Sequence, residues 1–355
     1  RRLGERVDEH YRRLAVGEAA PPEVLRVILE EVLAAWDGLD MPGEAPPVGD
    51  PAGLDPQALG AALEAIGPRL EAVFSERHGA YANVGTTAGY LDLHMGHRVV
   101  DDRRRIEQYG AEAEVRFILL DAMVSNGFQS WAWAFESQHG GWAKPEAIYQ
   151  VRPAGADAPV RAWRRLTDPD ERRRWDEEIT RDSAADDAIA ARRPVAYLPG
   201  LAGRLHRDGL EAVVAGLRDR GLAGDDLRRA FLRRLEDATL EASIFAHEGR
   251  HVIDQRAGID EAAELEYRAK LSEVAFSPLP FLTLSRSVLA PNLGDETPHG
   301  RADERLVRGL VEWMEGNAGE IEGLDRDRPL LPQLDRLRAD QLREAVRSLD
   351  PLAGG

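Results

Sequence analysis

The amino-acid sequence predicts a mainly helical α+β protein with a small antiparallel sheet. Two observations carry that expectation. Apolar residues recur at helical spacing through most of the chain, and one stretch, Trp131-Ala132-Trp133-Ala134-Phe135, alternates bulky and small side chains with the period of two that a strand requires. The 21 prolines and 33 glycines read as punctuation between periodic segments, not as low complexity.

Taken in order, residues 1–37 read as two helices, with Val24, Leu25, Val27, Ile28, Val32 and Leu33 at helical intervals before Asp37-Gly38 ends the pattern. Met41 to Pro56, rich in proline and glycine, reads as a linker. Leu59 to Phe74 is again helical, and Tyr81 to Tyr90, rich in Gly, Ala and Thr, reads as loop. The aromatic strand follows, His139-Gly140-Gly141 can turn it back, and Ile148–Arg152 and Val160–Trp163 are its expected neighbours.

Asp168 to Arg193 is charged and helical, and Pro194 to Leu198 is a short strand by composition. The strongest helix runs from Asp225 to Gln255, where Leu227, Phe231, Leu235, Ile244 and Val252 share a face between Gly224 and Gly258. Further helices are expected at 261–274, 301–316 and 333–349. The organisation that results is an N-terminal helical segment at 1–40, a Pro/Gly-rich linker at 41–56, a mixed α/β region with the small sheet at 57–223, and a C-terminal helical region at 224–355.

The composition narrows the chemistry. A net charge of −17 repels phosphate backbones and argues against nucleic acid as a partner. Without cysteine, any metal must be held by His, Asp or Glu. No stretch is long and apolar enough for a membrane span. The chain starts at Arg1-Arg2 with no apolar signal core, as a trimmed or processed protein would, which leaves the compartment open between cytoplasm and export with a signal removed. There is no phosphate-binding glycine loop after a strand and no Gly-x-Ser-x-Gly elbow, so nucleotide binding and serine hydrolysis have no support.

One motif carries chemistry. His247-Glu248-Gly249-Arg250-His251 lies in the last third of the strongest helix. Positions four apart stand one turn above each other, so His247 and His251 can present two imidazoles to one zinc ion, while Glu248 points aside and can reach a metal-bound water as general base. A third ligand is needed. Glu266 lies about as far beyond Gly258 as His251 lies before it, which places the two side by side in an antiparallel helix pair. Glu264, Glu273 and Asp254 also compete for that place: a solvated charge is the plainer reading of Glu264, and a carboxylate orienting a histidine that of Glu273 and Asp254.

His247-Glu248-Gly249-Arg250-His251 followed by Glu266-Tyr267-Arg268-Ala269 resembles the gluzincin group of zinc metallopeptidases. The resemblance covers Ile244 to Glu273, with a shorter spacing between His251 and Glu266 than in the best-known members and Lys270 where some carry an aspartate. It implies zincin-like catalytic helices, a Zn2+ cofactor on His247, His251 and Glu266, a water activated by Glu248, and attack on the carbonyl of a peptide or protein substrate. A Tyr or His outside the motif helices steadies the oxyanion in that group; His299 is the expected donor, with Tyr267 a second of the right type. Two other readings stand beside it: a zincin-like binding or regulatory protein with a structural metal, and a zinc hydrolase of a non-peptide amide. A second group, Asp92, His94, His97 and Asp101, has metal-ligand residue types at a spacing that an exposed polar face explains equally well.

Overall fold

A computed structural model of the chain describes residues 90–125 and 147–354 continuously, with 50–55, 80–87, 132–133, 141–144 and single helical positions between 13 and 72. The protein is α+β and mainly helical. The described positions in 13–34 and 57–72 are helical, as their apolar spacing predicts, and of the proposed linker 50–55 forms a turn in which the Asp50 carboxylate accepts from Ala52 N at 3.0 Å.

Six strands form the sheet: β1 (Ala80–Thr87), β2 (Tyr90–Gln108), β3 (Ala111–Ser125), β4 (Ala132–Trp133), β5 (Gly141–Lys144) and β6 (Ala147–Val151), in the order β1-β2-β3-β6-β5 with β4 paired to β3. It is larger than the expected sheet and centred elsewhere. The described residues of Tyr81–Tyr90, expected as loop, are strand: Ala80 to Thr87 pair antiparallel with His97 to Tyr90. Glycine, alanine and threonine carry little strand signal of their own, and a strand is stabilised by what lies across from it. Trp133 is in β4, while Trp131, Ala134, Phe135 and His139 lie outside the described residues. Val160–Trp163 is not a strand but part of helix α1 (Arg152–Thr167), where Ala162 is buried and Trp163 packs on Phe231 with ring centroids 5.2 Å apart. A four-residue apolar run is too short for its period to separate helix from strand. Pro194–Leu198 is not a strand but an irregular connection that bends at Pro194 and Val195, with Ala196 and Leu198 buried.

The remaining helices are α2 (Pro169–Arg192), α3 (Pro199–Asp219), α4 (Gly224–Thr239), α5 (Gly249–Arg256), α6 (Ala262–Phe276), α7 (Pro280–Thr283), α8 (Pro298–Gly316) and α9 (Ala339–Leu349). Their starts follow capping chemistry. Asp168 accepts from Asp170 N and Glu171 N ahead of Pro169, and Thr297 Oγ1 accepts from Gly300 N at 3.1 Å ahead of Pro298. That cap starts α8 three residues earlier than apolar spacing alone suggests, and it puts His299 in the first turn.

By its contacts the chain divides into two compact units. One compact unit comprises Arg1–Asp101, Ile118–Gly140 and Gln150–Ala154; the other comprises Asp102–Phe117, Gly141–Tyr149 and Gly155–Gly355. The second holds the motif. Its core gathers Leu198, the residue that precedes α3, Leu201 and Leu205 of α3, Leu271 and Val274 of α6, Leu306 and Leu310 of α8 and Leu342 and Val346 of α9. Helix α6 is central: it packs against α5, α8 and α9, and Tyr267 and Ala269 to Ala275 are all buried. A helix covered on every side has no polar face to show, so Lys270, Ser272 and Glu273 must find partners inside the protein.

Candidate metal centre

The expected helix from Asp225 to Gln255 is a continuous rod with an irregular middle. Between α4 and α5 the turns at Leu240–Glu248 widen to π geometry, and both His247 and Glu248 lie in that segment. Such widened turns cost helix regularity and cluster at functional sites. The rod is fixed from the sheet side by the end of β2: Gln108 Nε2 donates to Ala246 O at 2.8 Å, and Ser272 Oγ of α6 donates to Gln108 Oε1 at 2.8 Å. Gly249 permits this approach, since a Cβ there would stand 2.7 Å from Ile106 Cγ2.

The structure brings His247, His251 and Glu266 together. One ligand atom from each lies within 4.8 Å of the other two. The closest approaches are 3.2 Å between His247 Nε2 and His251 Nε2, 3.5 Å from His247 Nε2 to Glu266 Oε2, and 3.5 Å from His251 Nε2 to Glu266 Oε1. Donor atoms about 2.0–2.2 Å from a tetrahedral ion are roughly 3.3–3.6 Å from each other, so the three fit the edges of a zinc coordination shell. Glu266 Oε2 is also buried without a well-aligned hydrogen bond, an arrangement that is costly unless a cation answers it.

The electrostatics fit the same conclusion. Burial works against a charge on His247, but contacts with Glu266 and Glu273 outweigh it and raise its pKa to about 10. His251 goes the other way, down to about 3, through burial and the charge on His247. Burial opposes the negative charge of Glu266, yet His247 and His299 hold its carboxyl well below the usual range. A proton thus stands in the cluster where a metal ion would place its charge.

Glu273 faces the other nitrogen of His247, with Oε2 at 3.2 Å from Nδ1, in the position of a carboxylate that orients a metal-binding histidine. Glu273→Gln is expected to weaken zinc binding about 10–100-fold without abolishing it, measured by competition with a chromophoric chelator. Glu264 and Asp254 turn away from the cluster. Glu264 pairs with Arg268 at 2.6 Å and with Arg305, and Asp254 takes Arg250 at 2.7 Å.

His299 Nδ1 lies 2.9 Å from Glu266 Oε2, and the ring is 58% exposed, so it stands at the mouth of the cluster. Tyr267 is directed elsewhere, its hydroxyl 3.5 Å from Leu349 O and its ring under Arg305. Glu248 is half-buried, and burial with the charges of Glu266 and Glu273 against it raises its pKa to about 7, although His247 opposes the rise. Asp92, His94 and His97 are on β2, but their side chains lie outside the described residues.

Two features of the site have no signature in the sequence. Arg250, inside the motif, is fully buried and reaches Asp350, one hundred residues away, through two 2.8 Å bonds. Gln108 is equally remote from the helix it fixes. No family model, curated protein or solved structure matches the chain, so the reading of the site rests on its own residues.

Proposed function

We propose that this protein is a zinc-dependent metallopeptidase of the gluzincin type. The observation that carries the proposal is the His247, His251 and Glu266 cluster, at separations suited to zinc, with Glu248 next to it. His247, His251 and Glu266 would hold the ion, which when bound supplies a polarised water and positive charge against a developing oxyanion.

The residues of the chain do the rest. Glu248, with a pKa near neutrality, takes up the water proton at its carboxylate and returns it to the leaving nitrogen. A base beside an open metal position has no place in a structural site. His299, at the mouth, is the donor available to the oxyanion. Peptide is favoured as substrate by β5: it ends the sheet order and lies against both Leu240–Glu248 and α5, so an extended chain could pair with its outer edge beside the cluster.

Glu248→Gln is expected to retain zinc and lose about 10²–10⁴-fold in turnover. The measurement is zinc content and hydrolysis of a peptide library, with a panel of non-peptide amides in parallel. Unchanged turnover in that variant would remove Glu248 from the mechanism. Cleavage confined to the amide panel would redirect the substrate, and a zinc-loaded protein inert on both panels would leave a binding protein.

A further inference from the structure

On the Nδ1 side of His247 a separate cavity of about 190 Å³ opens beside Glu273, lined also by Thr239 and Ser243 of the motif rod and by Thr283, Arg286 and Ser287. Arg286 stands on a second short π segment, Leu284–Val288. It is open to water, yet it makes no hydrogen bond or ion pair with any described residue, and neither do the hydroxyls of Thr239 and Ser243. Three donors therefore face one concavity with nothing to accept from them. Other part-buried arginines of this unit are answered by carboxylates, as at Arg172 with Asp176 and Glu211 or Arg204 with Asp335.

Among the described residues the cavity lining holds a single cation, Arg286, in a chain whose net charge is −17. Glu273 is the one acid in its lining, and its carboxylate is engaged by His247. Crowding by protein, then the neighbouring Arg161, disfavours the charge on Arg286, with Glu273 opposing. A guanidinium does not lose its proton near neutrality, so Arg286 presents a fixed cation to the cavity. The field extends to His206: burial first, and then Arg286 and Arg165, lower its pKa to about 4.

We propose that this cavity binds a small oxyanion, with Arg286 as the charged, forked donor and the Thr239 and Ser243 hydroxyls completing the shell. Guanidinium geometry suits phosphate and carboxylate alike, and two hydroxyls one helical turn apart can donate to the remaining oxygen. The site does not depend on the metal centre, since none of its donors belongs to the metal cluster.

The test is isothermal titration of the full chain, chelator-treated and zinc-loaded, with inorganic phosphate and separately with N-acetylaspartate as a small carboxylate. Saturable binding of one or both is expected in either metal state, weakened about tenfold or more by Arg286→Gln, as loss of a charge-assisted bond implies, and unchanged by Arg301→Gln at an exposed position. The better-bound probe identifies the ligand class. The proposal is overturned if neither probe binds, if Arg286→Gln binds as wild type does, or if binding appears only with zinc and survives Arg286→Gln, which would assign the anion to the metal. Because Arg286 is exposed and unpaired, folding of the variant is not at stake, and matching circular dichroism spectra verify this.

Discussion

Glu266→Ala is expected to purify without zinc, whereas Glu264→Ala, two residues away, keeps close to one ion per chain. The contrast follows from helix geometry: the two carboxylates leave α6 in different directions, one toward His247 and His251 and the other toward Arg268 and Arg305. Loss of an outer partner costs about 10–100-fold in metal affinity, and loss of a direct ligand should exceed that, enough to empty the site on dialysis. The proposed peptidase activity should disappear with the metal.

Affinity in the wild type carries its own pH signature. The metal-free His247 holds its proton up to a pKa of about 10, so below that value zinc must displace it, and affinity should fall about tenfold for each unit of falling pH. Titration of zinc into weakly buffered protein should release that proton. Equal zinc in both alanine variants would mean that Glu266 is not a ligand, and an affinity flat with pH would mean that His247 is not.

These residues were legible in the sequence because their relation is local. His247 and His251 are one turn apart, and Glu266 is placed by symmetry about a single tight connection at Gly258, whose φ of +83° ends α5 in the way that favours glycine. The helices were legible for the same reason: caps and the 3.6-residue period act within a few positions. What escaped is long-range. Ala80–Thr87 is a strand by virtue of its pairing with Tyr90–His97, the widened turn at Leu240–Glu248 has no compositional mark, and the pocket around Arg286 draws on α4, the π segment after it, α6, α7 and Leu284–Val288. Local rules can identify the residues that would grip a metal, but not the ones that hold those residues still.

Arg250 shows what that means energetically. His247 and His251 of the motif join the metal cluster, while the Arg250 side chain is fully buried in a separate network. There Nε donates to Asp254 at 2.7 Å, Nη1 to Ser272 at 3.0 Å, and Nη1 and Nη2 to the two oxygens of Asp350 at 2.8 Å each. One guanidinium thus joins the motif helix, α6 and the end of α9. Arg250→Met keeps the bulk of the side chain but strands two buried carboxylates, Asp254 and Asp350, of which the first keeps Arg268 at 3.5 Å and the second the Leu352 N–H at 2.9 Å. Removing one partner of a buried pair costs about 3–5 kcal/mol, and that loss is expected in denaturant unfolding of the metal-free protein. Arg250→Lys should not restore it, because an ammonium cannot make the paired bonds to Asp350. If burying the network were itself the expense, Arg250→Met combined with Asp254→Asn and Asp350→Asn would recover most of the lost stability, since no unpaired charge would remain. A triple variant as unstable as Arg250→Met alone would instead show that the geometry of the network, not its charge balance, holds α9 against the motif helix.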